Sequence, residues 1–226
     1  MRLRRTPPPL ALAPPLALAL ARRTLLGAAA LAAPFASASR VPAQGADPRL
    51  GERSVGQAEA PVRVMEFFSL TCSHCAAFHR ETYPQVKKDL VETGAVRLLW
   101  RDFPLDQLAL TAAMVARSLP AERYEGFIGT LLSSQDRWAF ARGGEPLEEL
   151  AKLAALAGMS RAQYDQVRQD EALRRGILEQ RLVAEREHSI QATPSFAFIH
   201  GGTTRNQSGS IPFDRFRQLV EETRRA

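Results

Sequence analysis

Two cysteines stand three positions apart in the stretch LTCSHCAAFH, residues 70–79, and the chain has no others. Cys72 and Cys75, with Ser73 and His74 between them, could be a redox pair, half of a metal site, or a structural staple. A structural zinc site takes four ligands, usually as two spaced pairs. Here there is one pair, and the histidines that could add to it are His74, His79, His188 and His200. Haem attachment needs a histidine directly after the second cysteine, where Ala76 stands. A staple gains most by closing a long loop, and this loop is very short. The C-x-x-C spacing therefore points first to thiol–disulfide exchange, with metal binding second.

The chemistry needs a thiolate, because the thiolate and not the thiol attacks a disulfide. Such an anion is favoured where a helix begins, since free backbone N–H groups and the helix dipole point at it. The pattern around the cysteines provides such a place. APVRVMEFFS reads as a buried strand, with Val62, Val64, Met65, Phe67 and Phe68 apolar and partly β-forming. The motif follows at once. AAFHRETYPQVKKDLVETG then reads as a helix, bent near Pro84 and stopped by Gly94, and AVRLLWRDF as a second strand. On this strand–turn–helix, Cys72 is the exposed reactive thiol and Cys75, one turn in, the resolving one. A helix start of this kind lowers a cysteine pKa into a range of roughly 3.5–7.5.

Three other positions bear on that chemistry. His74 can favour the Cys72 thiolate by charge or hydrogen bonding, or stand by as an exposed residue. His79, a full turn beyond Cys75, reads as a bystander. Glu66 sits in the middle of the apolar strand, where a buried carboxylate is costly unless paired or protonated. It is either a proton acceptor beneath the cysteines or an acid on an edge or partly solvated strand. Thr193-Pro194 precedes the strand SFAFIH. Taken by itself, this proline reads as a trans proline in a loop, since cis is a minority state for X–Pro bonds.

The remaining elements carry no chemistry of their own. Between the two sheet segments lies a helical block. Leu108, Ala112, Val115 and Leu119 recur at helical spacing, and Pro146 opens a helix that Gly158 ends. Ser160 and Gln163 form a capping box, and residues 171–187 make a longer charged helix with a solvated face. After SFAFIH, GGTTRNQSG can hold an edge strand, and Ser210 can cap a last helix with Pro212 in its first turn. The order β-α-β, helical block, β-β-α suggests an insertion into one α/β domain.

The N-terminus bears on compartment. Residues 1–38 carry five arginines and no acid, and the apolar run LLGAAALAAPFASA ends in an Ala36-Ser37-Ala38 cleavage pattern. Arg22-Arg23 resembles a twin-arginine export signal, with the general secretory route as the alternative. The whole chain carries 30 basic and 24 acidic residues, net +6. Without the five arginines of the signal the balance is nearly neutral, which argues against nucleic-acid binding. Residues 39–54 read as a flexible leader. Export places the cysteines where disulfides persist.

Taken together, VMEFFSLTCSHCAAFH, RDFPLD with the helices after it, and TPSFAF resemble the DsbA-type thiol:disulfide oxidoreductases over about residues 55–224. The resemblance implies an α/β thioredoxin-like fold with an inserted helical domain: a first part at 55–104, the insertion at 105–187 and a second part at 188–226. It implies that Cys72 and Cys75 are the redox pair, His74 the histidine between them, and Glu66 the buried acid. It also implies that Pro194 is a cis-proline facing the pair and that the backbone of Thr193 meets substrate. Ser73 departs from the proline of the best-studied members, so the redox potential does not carry over. A threonine before the cis-proline also occurs in isomerase relatives, which usually carry an N-terminal dimerisation domain. The leader is too short for one, which favours a monomeric oxidase.

The expectation is a periplasmic enzyme that passes the Cys72–Cys75 disulfide to exported, cysteine-containing proteins and is reoxidised by a membrane redox partner, with no small cofactor and no metal. The rival readings are a reductase or isomerase of the same fold, and a non-enzymatic copper-binding protein using the cysteines and a histidine.

Overall fold

The apolar run before the cysteines forms the centre of a five-stranded sheet. β2 (Val62–Phe68) lies between β3 (Val96–Asp102), to which it is parallel, and β4 (Ser195–His200), to which it is antiparallel. β1 (Arg53–Val55) pairs antiparallel with β3, and β5 (Thr203–Ser208) antiparallel with β4, giving the order β1-β3-β2-β4-β5. The computed structural model describes residues 47–226. The signal sequence expected at 1–38 and most of the expected leader lie outside the described residues.

A parallel pair needs a crossover. α1 (Ser73–Glu81) and α2 (Tyr83–Val86) supply it, the latter running on into a π turn at Lys87–Val91. The bend expected near Pro84 is a break at Thr82, whose hydroxyl donates to Ile211 O at 2.9 Å. Gly94 ends the segment at φ +79°, a conformation open to glycine.

Six helices separate β3 from β4. They are α3 (Gln107–Ser118), α4 (Ala121–Ser133), α5 (Gln135–Trp138), α6 (Pro146–Leu156), α7 (Arg161–Arg168) and α8 (Glu171–His188). The capping box of Ser160 and Gln163 starts α7 as its sequence pattern indicates. α9 (Phe213–Arg224) closes the chain. Its N-cap is Pro212, with no side-chain cap, so the Ser210 cap does not form. None of the described helices is long and apolar enough to cross a membrane.

Alternation along β2 divides its side chains between two layers. Val62, Val64, Glu66 and Phe68 face α1 and α9, where Phe78 of α1 and Phe216 of α9 pack with Phe196 and Phe198 of β4 at centroid distances of 4.7–6.1 Å. Phe67 faces the other way, against Ala184 of α8 and Phe103. The polar strand β5 forms one exposed edge, which discourages pairing with other chains.

One correction concerns the leader. Its expected end at residue 54 falls too late, because Pro48–Leu50 form a 3-10 turn and Arg53–Val55 form β1. Composition hid this because the order comes from distant side chains. Arg117 Nη1 donates to Arg49 O (2.9 Å) and Gly51 O (3.0 Å), and Gln180 Nε2 to Leu50 O (2.8 Å). Gly176 on α8 admits Leu50, since a Cβ there would lie 2.2 Å from Leu50 Cδ1. The insertion is also less separate than its domain boundaries suggest: the described residues form one compact unit.

The ion pair of Arg117 with Asp102 holds the helical block to β3. Both side chains are essentially buried, at 0% and 2% exposure, and Tyr124 donates its hydroxyl to the same carboxylate at 3.1 Å. Breaking a buried pair from one side strands the other charge. Arg117→Ala is therefore expected to cost about 3–5 kcal/mol in urea unfolding, and Arg117→Met with Asp102→Asn distinctly less. A single-variant loss below about 1 kcal/mol would show that the pair does not hold the block.

Candidate active site

Cys72 is the N-cap of α1, with extended backbone (φ −82°, ψ 118°) that turns its sulfur across the helix start. It keeps 9% of its surface exposed, whereas Cys75 is wholly buried. Both cysteines are free in the structure. Cys72 is held down to a pKa of about 5. The largest cause is the Cys75 thiol, which donates to the Cys72 sulfur and outweighs the opposing effect of burial. The Thr193 hydroxyl and the backbone N–H groups of Cys75 and His74 add to it. Burial pushes the Cys75 thiol up, and the neighbouring Cys72 anion pushes it further. One helix start thus holds one anion and one proton on two sulfurs.

His74 supplies a main-chain donor. Its side chain is exposed, and its N–H is among the donors that favour the anion.

The loop before β4 covers the sulfur. The Thr193–Pro194 bond is cis, and both residues are buried. The Cys72 thiol donates to Thr193 O at 3.3 Å. Thr193 Oγ1 is buried with no partner other than the Cys72 sulfur, to which it donates when Cys72 is an anion. The loop therefore serves both protonation states: the carbonyl takes the thiol proton and the hydroxyl supports the thiolate.

Glu66 lies on the central strand, between Trp100 of β3 and Phe196 of β4, with no exposed surface. That excludes an edge or solvated position. Its partner is His79, whose Nε2 lies 3.0 Å from Oε1 and 3.2 Å from Oε2. The bystander reading of His79 is therefore corrected. Counting from Cys75 put it a turn away from the sulfurs, but that same turn aims its ring down at β2.

Sequence reasoning also missed Gln135 and Asp106. Gln135, buried at the start of α5, donates from Nε2 to Leu70 O (2.8 Å) and Cys72 O (3.1 Å). Asp106 caps α3 by accepting from Ala109 N (2.7 Å) and accepts Thr71 Oγ1 at 2.6 Å. Together they tie the inserted helices to residues 70–72, the turn that ends at Cys72. A polar residue in a helical stretch gives no sign of such reach. The Asp106-to-Ala109 spacing does signal a cap, but not the second bond. Among the described residues, no group of three or more His, Cys, Asp or Glu side chains could hold a metal ion.

A protein-family model described as thioredoxin matches residues 49–222. The chain belongs to the thioredoxin family. Within it the DsbA type is supported by named relatives. A Bordetella parapertussis protein, thiol:disulfide interchange protein DsbA, is 27% identical, over 76% of this chain and 81% of that protein. A Rickettsia typhi relative that carries the name protein-disulfide oxidoreductase is 29% identical over 75% of this chain. The chain spans only 63% of that relative's length. The crystal structure of Wolbachia pipientis alpha-DsbA1 superposes with a TM-score of 0.70 at 26% identity, covering 77% of this chain and 91% of that one. These likenesses bear out the thioredoxin-like fold with its many helices.

The alkylation rate of Cys72 should stay high from neutral pH down to about 5, then fall as the sulfur takes its proton. Thr193→Val removes a hydroxyl donor from the anion and should raise the Cys72 pKa by about 1. Thiolate absorbance against pH checks both. A wild-type midpoint near the ordinary 8.5 would contradict this account of the site.

Proposed function

We propose that the protein is an exported thiol:disulfide oxidoreductase that donates its Cys72–Cys75 disulfide to cysteine-containing proteins. The observation that supports this best is the asymmetry of the two sulfurs at the start of α1. Cys72 is the accessible member and is stable as an anion, with a pKa of about 5. A stable Cys72 thiolate is a good leaving group, and it favours the reduced state of the pair.

In the transfer, a substrate thiolate attacks Cys72 Sγ. The Cys72–Cys75 bond breaks, Cys75 leaves with the electron pair, and its sulfur takes a proton. The product is a mixed disulfide through Cys72. A second substrate thiolate then attacks the substrate sulfur of that bond, and Cys72 departs as its thiolate. The substrate has lost two electrons and gained a disulfide, and the cysteine pair has gained both electrons. Thr193, whose carbonyl lies at Cys72, would pair with extended substrate backbone in the manner of an added strand. Exported proteins would be the substrates, a membrane redox partner would restore the disulfide, and the chain would work in the periplasm as a monomer. The relatives' names support the class of reaction.

Oxidised protein mixed with a reduced two-cysteine peptide should yield peptide disulfide and reduced protein. A one-cysteine peptide should stop at a mixed disulfide, which mass spectrometry should place on Cys72. A mixed disulfide on Cys75, or no transfer to the two-cysteine peptide, would overturn the proposal.

A further inference from the structure

Each transfer leaves a proton problem inside the protein. Cys75 is wholly buried, so its sulfur cannot take a proton from water directly when it leaves, or lose one directly when it attacks. Glu66 faces α1 from the central strand with no exposed surface, close enough for its charge to raise the Cys75 thiol, and it cannot exchange with water either. His79 is the one hydrogen-bond partner of that carboxylate among the described residues.

His79 also borders the surface. The ring is 5% exposed and lines a cavity of about 390 Å³, together with Tyr83, Lys87, Glu125, Gly129 and Ser133. Tyr83 stands beside it at a centroid distance of 5.0 Å. Glu125 Oε1 accepts from Tyr83 Oη and from Lys87 Nζ, each at 2.6 Å. The ionisable groups around the ring are therefore Glu66 on β2, Cys75 one turn earlier on α1, Tyr83 on α2, Lys87 in the π turn, Glu125 on α4 and Arg80 at the cavity rim. Nε2 of the ring meets Glu66, and among the described residues Nδ1 has no protein hydrogen-bond partner.

We propose that His79 is a positioning residue that passes the Cys75 proton between the buried Glu66 and this solvent-facing cavity. This deepens the disulfide-transfer reading and rests on it. When Cys75 attacks a mixed disulfide at Cys72, its proton goes to the Glu66 carboxylate. Glu66 passes it to His79 Nε2, and Nδ1 releases a proton to water in the cavity. The electron pair left on Cys75 forms the Cys72–Cys75 bond, and the bound thiol leaves from Cys72 as its thiolate. In the donating direction the same protons run inward. An imidazole suits this role because its two nitrogens can take and give protons on opposite sides near neutral pH. A purely structural ion pair would hold Glu66 in place equally well and would move no proton.

The test separates those roles. Reduced wild-type, His79→Gln and His79→Ala proteins are mixed with oxidised glutathione between about pH 5 and 9. Quenched-flow mass spectrometry then follows formation of the Cys72–glutathione mixed disulfide and its resolution by Cys75. Relative to the first step, resolution should slow by about 100-fold in His79→Gln, which keeps a hydrogen-bond donor but cannot relay. Added imidazole, which fits the enlarged cavity of His79→Ala, should restore at least about tenfold of the loss. Resolution within about threefold of wild type in His79→Gln, or no imidazole rescue, would overturn the relay while leaving disulfide transfer intact. No mixed disulfide at Cys72 in the wild-type protein would sink the disulfide-transfer reading itself. Should the variants fail to fold, nitrogen NMR of the wild-type ring decides. The His79 resonances should shift between oxidised and reduced protein, and unchanged resonances would overturn the proposal.

Discussion

The site depends on one interaction, a thiolate held at the start of α1. Its donors are the Cys75 thiol, the Thr193 hydroxyl and two backbone N–H groups. They come from two places far apart in the chain, residues 72–75 and residue 193. The sheet makes them neighbours, because β2 and β4 pair directly and each leads into or out of the site. The anion also explains why the two cysteines differ. Two adjacent sulfurs cannot both ionise cheaply, so the buried one keeps the proton and donates it to the exposed one.

Holding that geometry requires the helical insertion. Gln135 fixes the carbonyls of Leu70 and Cys72, and Asp106 fixes Thr71. Asp106 starts α3, which is in turn fixed to the sheet by the buried Asp102–Arg117–Tyr124 cluster. The insertion thus builds the floor of the redox loop. The opposite side of the same loop is closed by Thr193 and Pro194. The sulfur keeps only a small part of its surface exposed.

Much of this was legible in the residues. The spacing of Cys72 and Cys75 after an apolar strand revealed the helix start, the order of roles and the β-α-β setting. SFAFIH and the polar segment after it read as strands and formed β4 and β5. Glu66 stood out because a carboxylate in an apolar strand demands a partner. The partner did not stand out, since His79 meets Glu66 only when α1 is laid across β2, and no local pattern encodes that crossing. The order of residues 47–55 was hidden for the same reason. Its backbone is held by Arg117 and Gln180, more than 60 positions away in the chain. The cis bond at Pro194 was implied by family resemblance and not by the residues themselves, which taken alone favour trans.

The proposed donor role requires that a stable Cys72 thiolate favour the reduced pair. The equilibrium of the pair against glutathione tests it most directly. A potential of about −180 to −120 mV, the range of oxidising members of this fold, is expected. A potential below about −270 mV, that of a thioredoxin-type reductant, would contradict it.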